Sequence, residues 1–207
     1  PFGYESICAH RSVRAFAQAA AARGVAALRF DYAGTGDSCD VEVTADQMQN
    51  WTRDVVAAVR ALRRATGVER VCLLGFRLGA LLATLAAPEC EDVAGIAVIA
   101  PVVSGRRYLR ELRLIQAAAP QVAVVAPGSA STEEAAGTTG TFEVAGFSMS
   151  QATMKTLAQL DLMTLRQAPA EQMLVIDRSD LPGARPWTDL LTTLGVAHRA
   201  LAFPRQL

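Results

Sequence analysis

Val71-Cys72-Leu73-Leu74-Gly75-Phe76-Arg77-Leu78-Gly79-Ala80 is the stretch that decides the fold of this chain. An apolar run of strand length, about 70–74, enters a Gly-x-Arg-x-Gly turn. A second apolar run, about 78–87, leaves the turn as a helix, and Pro88 cannot continue it. Two glycines flanking a sharp reversal let a strand and a helix meet closely. Arg77, at the apex, carries a permanent charge and no nucleophilic atom.

The same alternation extends in both directions. Upstream, residues 6–23 read as a helix with Val13, Phe16, Ala17 and Ala20 on one face, closed by Gly24. Val25–Asp31 (VAALRFD) reads as a strand, and Asp31–Ser38 as a turn. Residues 46–65 form a long helix with Met48, Trp51, Val55, Val59 and Leu62 in a stripe. Arg60, Arg63 and Arg64 suit the negative end of its dipole. Downstream, Gly95–Val102 is an apolar strand, and 172–177, 185–194 and 197–203 read as strand, helix and strand.

Apolar strands alternating with helices predict an α/β fold: a mostly parallel sheet, buried, with helices on both faces. Residues 104–168 interrupt the rhythm. Helices are expected at 104–118 and 148–165, with a Gly/Ala/Ser/Thr-rich, mobile stretch at 128–140. The expected organisation is a core of 1–103 and 169–207, with 104–168 as a lid or cap insertion.

With 207 residues, 51% of them hydrophobic, the chain can bury one substantial core. Its formal net charge of zero gives no reason to expect nucleic acid or an anionic membrane as a partner. No run of residues suits a membrane span or a secretory signal, which points to the cytoplasm. Cys8, Cys39, Cys72 and Cys90 lie far apart, so neither a zinc site nor a redox dithiol is expected. Cys72, inside an apolar run, reads as a small buried hydrophobe. Gly34-Thr35-Gly36 lacks the third glycine of a dinucleotide loop, whose place is taken by Cys39. It reads as a tight turn, and no cofactor is expected.

Several segments together resemble the α/β-hydrolase family. They are Pro1-Phe2-Gly3 before a helix, Asp31-x-x-Gly34-x-Gly36-x-Ser38 after a strand, Gly75–Gly79, and the insertion after the strand at 95–102. Gly75–Gly79 has the shape of the family's nucleophile elbow, G-x-S-x-G, with arginine in place of serine. The form Gly75-Phe76-Arg77-Leu78-Gly79-Ala80 looks like that of hydrolases associated with exosortase and exopolysaccharide clusters. Set against the family, the chain reads as shortened at both ends.

The resemblance implies a set of site residues. The acid would be Asp177 or Asp180, and each could equally begin a turn or cap a helix. Oxyanion donors would be the backbone N–H of Leu78 and those of the loop at Phe2, Gly3 and Tyr4. The histidines, His10 and His198, fall in the first helix and the last strand, where neither suits a catalytic loop. Cys8, near a helix start, is the best-placed substitute nucleophile. Ser38 is expected to hydrogen-bond within its own loop.

Arg77 has two readings. It could hold a carboxylate or phosphate of a ligand. Alternatively it forms an internal pair with Asp177 or Asp180, since an unpaired buried charge costs several kcal/mol. Function divides accordingly. One reading is a hydrolase of acyl or ester-type bonds with an incomplete triad. Another is an inactive pseudo-hydrolase that binds a small acyl or anionic ligand or acts as an accessory protein. A third is a docking protein using Arg106, Arg107, Arg110 and Arg113, although such a face is more often simply solvated.

Overall fold

The computed structural model describes residues 2–39, 42, 45–118, 141–144, 147–178 and 183–203. In chain order its elements are α1 (Tyr4–Ala21), α2 (Gln47–Thr66), β1 (Val71–Phe76), α3 (Leu78–Ala86) and β2 (Val93–Ile99). Then come α4 (Gly105–Ala118), β3 (Thr141–Val144), β4 (Phe147–Ser150), α5 (Gln151–Gln159), β5 (Gln172–Arg178), α6 (Arg185–Thr193) and β6 (Ala197–Phe203). Strands β1, β2, β5 and β6 pair in that order as a parallel sheet. This is the expected α/β architecture, and the four strands fall where the sequence placed them, within one to three residues.

The sheet has a well-covered face and a thinly covered one. In β1, Val71 and Gly75 are buried and Leu73 half-buried on the side of α2 and α3. Cys72 and Leu74 point the other way and are exposed, which corrects the reading of Cys72 as buried. The covered side holds most of the core. Met48, Trp51, Val55 and Val59 of α2 pack there with Leu78, Leu81 and Leu82 of α3. Each such side chain is worth about 1.5–3 kcal/mol on burial. Caps fix the length of α2: the Asp46 side chain accepts from Met48 N–H at 3.0 Å, and Gly67 closes the helix in the left-handed region.

On the thin side, α1 has no fully buried residue. Glu5, Ala9, Val13, Ala17 and Ala20 make a half-buried stripe at helical spacing, close to the expected face, but Phe16 is exposed. Its ring still meets that of Phe76, centroids 6.2 Å apart, so α1 lies across the side of β1 opposite α3.

Val25–Asp31 is not a strand. It is exposed, and no ladder bonds reach it among the described residues. Strand composition alone does not make a strand; the backbone needs a hydrogen-bonded neighbour. Strand β6 also departs from the expectation of burial on both faces, since it is exposed along most of its length at the edge of the sheet.

Between β2 and β5 the alternation of strand and helix breaks. The helix expected at 148–165 is instead the tail of a β3–β4 hairpin, then α5, then a single 3-10 turn at Leu162–Thr164. Ser150 caps α5 by accepting from Thr153 N–H at 3.0 Å, which is why the helix starts only there. Hydrogen bonds tie this segment to the start of α2: Gln47 N–H to Thr153 Oγ1 at 2.9 Å, and Thr156 Oγ1 to Asp46 Oδ2 at 2.6 Å. The stretch 128–140 lies outside the described residues. No helix among those described is long and apolar enough to cross a membrane.

Candidate functional site

The turn at Gly75–Gly79 is a strand-to-helix elbow. Arg77 has φ 50 and ψ −118, a conformation that costs a residue with a side chain about 1–3 kcal/mol. Its neighbours hold it there. Arg77 N–H donates to the Ile99 carbonyl at 3.0 Å, and its own carbonyl accepts from Ala80 N–H at 3.0 Å and Val102 N–H at 3.3 Å. Gly75 permits the close crossing, because a Cβ there would lie 2.5 Å from Ala80 Cα and from the Gly79 carbonyl oxygen.

The elbow lifts the Arg77 side chain out of the sheet into a cage of acids. Nε donates to Glu5 Oε1 at 2.7 Å, and Nη2 to Glu111 Oε1 at 2.6 Å. Among the described residues, Nη1 has only a long contact, 3.5 Å, to the Ala100 carbonyl. The Tyr108 hydroxyl donates to Glu5 Oε2 at 2.9 Å, and its ring lies 5.4 Å from the guanidinium carbon. The Arg77 side chain retains 22% exposure. Burial opposes its charge, but the hydrogen bonds and charges of Glu111 and Glu5 outweigh that, holding its pKa above the ordinary arginine value. Burial, then the charge and hydrogen bond of Glu5, raise Tyr108 well above an ordinary tyrosine, so its hydroxyl stays a donor.

The internal ion pair expected of Arg77 therefore exists, with different partners. Asp177 does not reach it. Its Oδ1 accepts from Arg178 N–H and its Oδ2 from Ala184 N–H, both at 2.8 Å, so it ties the end of β5 to the start of α6. Asp180 lies outside the described residues. Glu5, Tyr108 and Glu111 were missed because they come from α1 and α4, 72 and 34 residues away for the two acids. The only local hint is that Tyr108 and Glu111, three apart on a helix, share a face.

The remaining expected site residues fall in two places. Phe2 and Leu78 line one small cavity of about 10 Å³, with Trp51 and Tyr32, enough for roughly one water. The Phe2 ring packs 5.8 Å from Trp51, Gly3 caps α1 at φ 60, and Tyr4 is exposed at the first helical position. Cys8 is exposed on α1, one helical turn from Tyr4, whose pKa its thiol raises above the ordinary tyrosine value. It lines an open groove of about 550 Å³ with His10, Arg11, Asp31 and Asp37. Ser38 bonds within its loop as expected, its hydroxyl donating to the Asp31 carbonyl at 2.7 Å. His198 lies in β6, with Nδ1 3.2 Å from the Val196 carbonyl oxygen. Among the described residues no three His, Cys, Asp or Glu side chains gather to hold a metal.

Solved structures share this fold. Est1E from Butyrivibrio proteoclasticus, with ferulic acid bound, superposes with a TM-score of 0.64 at 16% identity, covering 90% of this chain and 70% of that one. Mouse alpha/beta hydrolase domain-containing protein 10 gives 0.54 at 15% identity, covering 93% and 73%. The class is thus the α/β-hydrolase fold. The family model described as Hydrolase_4, serine aminopeptidase, S33, matches residues 9–174, and the chain belongs to that family. A comparison with the curated proteins finds no match.

Proposed function

We propose that this family member is of the group with a Gly-x-Arg-Leu-Gly elbow, similar to the exosortase- and exopolysaccharide-associated hydrolases. In this reading its elbow pocket recognises an acyl or anionic small molecule in the cytoplasm without serine chemistry at position 77. The observation that carries the proposal is the clamping of Arg77, in elbow conformation, between Glu5 and Glu111. A guanidinium so held is a fixed cation and cannot attack a carbonyl carbon. In this reading the donors to a ligand oxygen would be the backbone N–H of Leu78, at the start of α3, and those of Phe2, Gly3 and Tyr4, since Ala80 N–H is taken by the Arg77 carbonyl.

A second reading, hydrolysis of acyl or ester-type bonds, draws support from the family model. It requires a nucleophile away from the elbow. Cys8 is the candidate, with Asp177 or Asp180 as the acid. The test is labelling with a fluorophosphonate probe and turnover of p-nitrophenyl esters. Recognition without serine chemistry gives neither. Labelling that persists in Arg77→Ala and disappears in Cys8→Ala overturns it in favour of the displaced nucleophile.

A further inference from the structure

The two acids on Arg77 are not equivalent. Glu5 is fixed through both oxygens, one to Arg77 Nε at 2.7 Å and the other to the Tyr108 hydroxyl at 2.9 Å. Among the described residues, Glu111 is held through one oxygen, by Nη2 at 2.6 Å. Its side chain is 46% exposed, against 24% for Glu5. An exposed acid held by a single ion pair gains little from staying in place.

The guanidinium has a corresponding deficit. Its Nε edge is taken by Glu5. Its outer edge, Nη1 and Nη2, could grip a carboxylate with two parallel bonds. Glu111 uses only Nη2, while Nη1 reaches no closer than 3.5 Å to the Ala100 carbonyl. Charge points the same way. One guanidinium and two carboxylates leave the cage with one excess negative charge, so an anion enters favourably only as Glu111 leaves. Arg107, one helical turn before Glu111 on α4, is exposed, and its charge favours an approaching anion.

We propose that Glu111 is an internal stand-in for the ligand. A small molecule bearing a carboxylate displaces it and pairs with the outer edge of Arg77, while Glu5 and Tyr108 keep the guanidinium aimed. This rests on the reading of the elbow as a recognition site and names the chemical class recognised.

The test is binding of hexanoate to the full chain, by calorimetry, in wild type, Glu111→Gln and Glu111→Ala, with hexanamide as the neutral control. A competitor that occupies the site most of the time lowers apparent affinity by the fraction left free, so its removal is expected to tighten hexanoate by about fivefold or more. The gain is expected to vanish when Arg77→Gln is added to Glu111→Gln. No gain in either Glu111 variant, with melting curves showing both folded, overturns the proposal. So does a gain that survives Arg77→Gln, or an equal gain for hexanamide. Those outcomes leave the recognition reading standing, because it fails separately, on fluorophosphonate labelling.

Discussion

Nε of Arg77 lies 2.7 Å from Oε1 of Glu5, joining the apex of the elbow to the first turn of α1. A helix with no fully buried residue is thereby anchored at its N-terminal end by an ion pair. The same guanidinium holds Glu111 of α4 at 2.6 Å. Position 77, at the apex of the strand-to-helix turn, is thus the junction of three elements.

Placing serine at position 77 is therefore not expected to create an esterase. Arg77→Ser strands Glu5 and Glu111 together without their cation. Breaking a buried pair costs about 3–5 kcal/mol, and the partial exposure of all three groups reduces this to roughly 2 kcal/mol. Urea unfolding measures the loss. No esterase activity should appear, because neither His10 on α1 nor His198 on β6 bonds to the elbow.

Gly75→Ala tests the elbow backbone itself. The new Cβ meets Ala80 Cα, the Gly79 carbonyl oxygen and Ala80 N at 2.5–2.6 Å, all main-chain atoms of α3 that cannot rotate away. A loss of about 3 kcal/mol is expected, the upper end for overpacking. A loss below about 1 kcal/mol, by the same measurement, would show that α3 does not cross β1 this closely.

The two tryptophans should respond differently to the same substitution. Trp51 Nε1 donates to the Ala33 carbonyl at 3.0 Å. Trp187 is fully buried, and its Nε1 has no partner among the described residues. Replacing Trp51 by Phe orphans a carbonyl, whereas replacing Trp187 removes an unsatisfied donor. Trp51→Phe is expected to cost about 1 kcal/mol more than Trp187→Phe in paired unfolding experiments.

Alkali should destabilise the fold through its buried tyrosines. Burial, then the charge of Asp54, raises Tyr32, and burial with Glu5 raises Tyr108. An unfolded tyrosine ionises near about pH 10, where these two still hold their protons. The native state then binds more protons than the unfolded one, so stability falls as pH rises. The contribution is complete below about pH 10 and is lost above it. Urea midpoints across that range should drop in wild type and drop less in Tyr32→Phe combined with Tyr108→Phe.

The frame of the molecule was legible because it depends on local pattern. The glycine spacing of Gly75 and Gly79 gave the elbow, and the Met48-Trp51-Val55-Val59 stripe gave α2. What needed tertiary partners was not legible. Val25–Asp31 has strand residues, but among the described residues no strand pairs with it. The β3–β4 hairpin is too short to imprint a period on the sequence. That Arg77 must find acids followed from its charge. That they would be Glu5 and Glu111 did not, because one follows a loop at the start of the chain and the other sits among the exposed arginines of α4.

A double-mutant cycle between Arg77 and Glu5 tests most directly whether position 77 is a clamped cation. Arg77→Gln, Glu5→Gln and the double variant are compared with wild type by urea unfolding. A coupling energy of about 1–3 kcal/mol is expected for contacting charges at this burial. Coupling within about 0.3 kcal/mol of zero would mean that the two side chains act independently, and would contradict the account.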